Sequence, residues 1–78
     1  MKETGQREQL GSQDGEKIRA LRIYAGYSTA TAFAERLGIK PQSLINIERG
    51  NRPASLAMLI RIASELETTV DDLLREAA

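Results

Sequence analysis

A chain of 78 residues with eleven basic and eleven acidic side chains has no net charge at neutral pH and is long enough for one small domain. It has no cysteine and no histidine, which excludes a disulfide framework and a thiolate zinc site and removes the commonest general acid/base and neutral metal ligand. Apolar runs of only a few residues, and an N-terminus without an apolar signal core, lead us to expect a soluble cytoplasmic protein with no membrane partner.

Residues 1–14 are polar, rich in Gly, Gln and charge, and lack a hydrophobic period, so a flexible tail is expected there, with a helical domain over 15–78. The first helix is predicted from "GEKIRALRIYAG", with Asp14 as its cap, Ile18, Leu21 and Ala25 on one face and Gly26 just past its end. Thr29 or Ser28 can cap a second helix, "ATAFAERL", with Phe33 and Leu37 inward and Gly38 ending it. Lys40-Pro41 opens a third helix, because proline suits the first helical position and keeps its predecessor extended. Leu44 and Ile47 face inward there, and Gly50 closes it. After the turn "NRPAS", Ser55 caps a fourth helix with Leu56, Leu59, Ile62, Ala63 and Leu66 inward. Thr69 caps a short fifth helix carrying Val70, Leu73 and Leu74. No stretch alternates with period two, so the fold class is all-α, five short helices around one core.

The spacing within helices two and three is that of a helix-turn-helix. Ala34 supplies the small residue at the crossing, Gly38 the turn four residues later, and Leu44 and Ile47 the inward residues ten and thirteen after Ala34. With "IRALR", "FAERLGI", "IERG", "SLAMLIRIA" and "VDDLL", the chain from about Ile18 to Leu74 resembles the lambda Cro and phage-repressor type, the XRE-like helix-turn-helix family. That resemblance implies a five-helix lambda-repressor-like DNA-binding domain of bacterial or phage origin, usually a homodimer on a pseudo-palindromic operator. It also implies a structural ion pair between Arg22 and Glu48, in keeping with the need of a half-buried arginine for a carboxylate.

In this register the recognition helix spans about 41–49 and enters the major groove by its N-terminal end. Gln42 and Asn46, four apart on one face, each donate and accept, as reading an adenine edge requires. Two solvated surface amides would show the same pattern. Ile45 points outward and either meets a thymine methyl or packs under a loop or dimer contact. Phosphate contacts are expected from Ser28, Thr29, Lys40, Ser43, Arg49, Asn51 and Arg52, each of which could instead be plain solvated surface. A dimer contact is assigned to Val70, Leu73 and Leu74, residues that also have to close the core.

The sequence departs from the family pattern in three places. Ala30 stands where relatives carry glutamine, behind a loop one residue longer. Pro41 replaces a polar reader, and Glu67 stands where glycine is usual.

The zero net charge averages two unlike halves. Residues 15–53 carry seven basic and three acidic side chains, a net of +4, whereas residues 54–78 carry two and five, a net of −3. Such asymmetry orients a protein on a polyanion. The expected function is therefore a sequence-specific DNA-binding regulator, most simply a dimeric repressor, whose partner is double-stranded DNA. The alternative is a protein-interaction module on the same fold, with a protein partner. The acidic residues have no recognisable catalytic or metal-binding spacing, so neither enzymatic activity nor a cofactor is expected.

Overall fold

Side-chain oxygens begin four of the five helices among the described residues. In the computed structural model, which describes residues 12–75, α1 (Gly15–Tyr24), α2 (Ala30–Leu37), α4 (Leu56–Leu66) and α5 (Val70–Leu73) start where Asp14, Thr29, Ser55 and Thr69 accept from the backbone N–H three residues on. The exception is α3 (Pro41–Arg49), which begins on proline after an extended Lys40 and has no side-chain cap. No strand forms among the described residues; a single antiparallel bridge joins Gln13 to Leu74.

Helices α1 to α4 all end in the same paired hydrogen bonds, in which two successive residues past the helix (Gly26 and Tyr27 after α1, the first two residues after the others) return to carbonyls of its last turn. After α2 these are Gly38 N–H to Glu35 and Ile39 N–H to Ala34, with Gly38 at φ 76°. This left-handed residue turns the chain between α2 and α3, and glycine takes it without strain. After α4 the same position is Glu67, at φ 57° and ψ 46°. There a side chain bears a conformation in which Cβ crowds the following carbonyl.

Ile18, Phe33, Leu37, Leu44, Ile62 and Leu73 are the largest fully buried side chains, and Ala34, Ile47, Leu59 and Ala63 complete the core. Tyr27 tilts onto Phe33 with ring centroids 4.8 Å apart, covering the core beside the α1–α2 loop. The core corrects two sequence expectations on helix faces. Leu56 is 65% exposed instead of inward, because the buried face of α4 is set by Leu59, Ile62 and Ala63. Ala25 follows the last turn of α1 and is exposed.

The expected tail boundary also shifts. Residues 1–11 lie outside the described residues, but Ser12 to Asp14 are docked. Asp14 N–H donates to Leu73 O and Arg75 N–H to Ser12 O, so the segment entering α1 lies along the segment leaving α5. Gly15 sits against the end of α3, where a Cβ would collide with the carbonyl of Glu48. Only glycine permits this approach, which seats the start of α1 on the end of α3.

Candidate nucleic-acid interface

The geometry of α3 follows from its buried side. Leu44, Ile47 and Glu48 are buried, and Ala34 on α2 is fully buried beneath the crossing. Residues on the opposite side of α3 are therefore turned to solvent by the helical period. Pro41, Gln42 and Arg49 are exposed, and Ile45 and Asn46 are half-buried.

Gln42 Nε2 donates to Asn46 Oδ1 at 3.2 Å. The two candidate readers are thus a linked amide pair one helical turn apart. The link consumes one donor and one acceptor lone pair, leaving the Gln42 carbonyl oxygen and the Asn46 amide N–H groups for another partner. Ile45 lies beside this pair and is not among the apolar residues packed on the core.

The expected phosphate-contact residues fall into three groups. Ser28 and Thr29 precede α2 and are exposed. The Thr29 hydroxyl already accepts from Ala32 N–H at 3.2 Å, and its own proton stays available for donation. Lys40, Arg49, Asn51 and Arg52 are exposed at the two ends of α3. Ser43 differs: it is half-buried at the edge of α3 facing α4, in a cleft shared with Ile39, Arg52 and Met58.

Arg22 and Glu48 are joined through the core. Arg22 Nε donates to Glu48 Oε2 at 2.8 Å, a second guanidinium nitrogen lies 3.3 Å from Oε1, and a third donates to Tyr27 O at 2.7 Å. Their side chains are 5% and 6% accessible. One fork therefore ties α1, the α1–α2 loop and the end of α3 together. Among the described residues the other ion pair is Arg36–Glu65 at 2.8 Å, on the surface. Its hydrogen bond, then its charge, hold the Arg36 guanidinium above its ordinary pKa, and the pairing neutralises a cation of the basic half.

Leu73 is a correction to the expected dimer contact. It is fully buried in the core and has no surface to offer, while Val70 and Leu74 are half-buried against the same core. A helix as short as α5 has to spend its apolar residues on closing the domain. Among the described residues the large apolar side chains that stay exposed are Ile23, Tyr24, Leu56 and Ile60.

Gln13 was missed as a site residue. It is 8% exposed, and its amide donates to Ile47 O at 3.2 Å and Arg52 O at 2.8 Å while accepting from Ala54 N–H at 3.3 Å. It holds the turn that carries Asn51 and Arg52. No local sequence signal marks it, since its partners lie 34 to 41 residues away.

Residues 18–73 match the family model described as helix-turn-helix. A curated relative, the uncharacterized HTH-type transcriptional regulator YazB of Bacillus subtilis (strain 168), is 44% identical over 59 residues, covering 76% of this chain and 84% of the relative. No solved structure matches the chain significantly.

Proposed function

The chain belongs to the helix-turn-helix family, and from that premise we propose that it is a sequence-specific DNA-binding transcriptional regulator, acting as a homodimeric repressor on a pseudo-palindromic operator. Family membership and the similarity to a transcriptional regulator support the coarse function. The observation that carries the finer reading is the Gln42–Asn46 amide pair on the solvent side of an α3 whose other side is locked into the core. Gln42, Ile45 and Asn46 face the base edges of the major groove, the amides toward adenine and Ile45 toward a thymine methyl. Ser28, Thr29, Lys40, Ser43, Arg49, Asn51 and Arg52 hold the backbone, and Arg22 and Glu48 have a structural role. Among the described residues no helix is long and apolar enough to cross a membrane.

Selection of bound sequences from a random duplex library, at about 0.1 M salt where exposed charges are largely screened, tests this reading. Enrichment of a pseudo-palindrome is expected. Asn46→Ala should then relax preference at one position of each half-site by roughly 1–3 kcal/mol. Unchanged affinity and preference in Asn46→Ala would refute the base-reading role. No enrichment by folded protein would refute the DNA reading and favour the protein-interaction module, for which half-exposed Ile45 and exposed Pro41 are the supporting observations. Sedimentation at binding concentrations measures the homodimer.

A further inference from the structure

Two adjoining clefts open where the end of α3 meets both chain termini. One, about 370 Å³, is lined by Gly15, Glu16, Arg19, Glu48, Arg49, Gly50 and Arg75. The other, about 280 Å³, includes Arg52 and Arg75 with Gln13 and Gly50. Gly50 and Arg75 belong to both, so Arg19, Arg49, Arg52 and Arg75 gather at one end of the molecule. All four are exposed, and none is in an ion pair among the described residues. Among the described residues two carboxylates line the clefts: Glu48 is engaged by Arg22, which leaves Glu16 to oppose four guanidiniums. In a chain of zero net charge this is a marked local excess.

We propose that this end is a second phosphate-binding surface, in which Arg19 and Arg75 extend the backbone contacts of Arg49 and Arg52 along the duplex. The inference rests on the DNA-binding reading above. It is carried by continuity, because Arg49 and Arg52 flank α3 and also line the clefts. A nine-residue α3 is about 13 Å long, close to the roughly 12 Å width of the major groove. With its N-terminal end at the bases, its C-terminal end reaches the groove wall, where the sugar–phosphate backbone runs. Guanidinium forks match phosphate oxygens in shape and charge. Arg75 comes from the acidic half of the sequence. The pairing of its N–H with Ser12 O fixes its backbone at this end.

The test is the salt dependence of binding by the full chain to its selected duplex, followed by fluorescence anisotropy. Each phosphate contact contributes about 0.9 to the slope of log affinity against log salt. Arg19→Ala and Arg75→Ala should each flatten the slope by about that amount. Affinity should fall alike for selected and unrelated duplexes, with the preferred sequence unchanged. Arg75→Lys, which keeps the charge, should retain most of the slope. Both side chains are exposed, so circular dichroism should show intact helices. A wild type that binds DNA while both alanine variants keep its slope and affinity overturns this inference alone. A wild type that binds no duplex overturns it together with the DNA reading.

Discussion

Glu48→Ala should come close to unfolding the domain. The substitution leaves the Arg22 guanidinium in place, 5% accessible at its side chain, with only the Tyr27 carbonyl as a partner. An exposed pair would be worth about 0–1 kcal/mol. Burial puts this one in the other regime, where removing one partner costs about 3–5 kcal/mol because a charge is stranded out of water. Against roughly 0.05–0.15 kcal/mol of stability per residue, the 64 residues from 12 to 75 have about 3–10 kcal/mol to lose. For a domain of this size each kcal/mol moves Tm by about 4–8 °C, so a fall of about 12–40 °C is expected. Arg22→Met combined with Glu48→Leu should recover most of that loss, since apolar residues of similar volume can replace a buried pair at little cost. Urea titration and thermal melts followed by circular dichroism, on wild type, single and double variants, measure the difference. A cost below about 1 kcal/mol for Glu48→Ala, or a double variant less stable than the single, would refute the claim that the pair holds α1 to α3.

Three further outcomes follow from other corners of the fold. Gln13→Ala removes the side-chain partners of the half-buried Ala54 N–H and the Arg52 carbonyl, while Ile47 O keeps its bond from Gly50 N–H, and should cost about 1–3 kcal/mol in urea titration. Faster hydrogen exchange at Ala54 should accompany it, and unchanged exchange would show that the clamp is dispensable. Glu67→Gly relieves a left-handed φ of 57° and should raise stability by up to about 1 kcal/mol, the gain offset in part by glycine's freedom in the unfolded chain; a lower Tm would contradict it. Hydrogen bonds from Thr68, then Thr69, hold the Asp72 carboxyl below the usual carboxylate range. Its contribution to stability is therefore complete above that range and is lost as pH falls through the lowered folded value. Asp72→Asn should make the acid limb of the Tm profile shallower, and an identical limb would refute the assignment.

The parts of this protein legible in the sequence are those governed by interactions a few residues apart. Caps at Asp14, Thr29, Ser55 and Thr69, the turn at Gly38 and the inward Leu44 and Ile47 depend on local hydrogen bonds and helical period. Those local rules, read at fixed offsets, also single out α3 and its outward Gln42, Ile45 and Asn46. Period alone misjudged Leu56, because a helix bounded by apolar residues on two faces can turn either one inward, and the packing of Leu59, Ile62 and Ala63 chose. For Leu73 the sequence allows both a dimer contact and a core position, and the tertiary packing puts it fully in the core.

Gln13 and Gly15 show the other limit: a polar residue and a glycine at the edge of a polar segment have no local signature, and their roles arise from backbone 33 to 41 residues away. The same holds for charge. Composition by halves placed Arg75 with the acidic residues, but the docking of the two chain ends moved it beside Arg19, Arg49 and Arg52. Local chemistry set which helices form and which face of α3 is free; long-range packing set what surrounds that face, because Coulomb forces depend on distance in space and not along the chain.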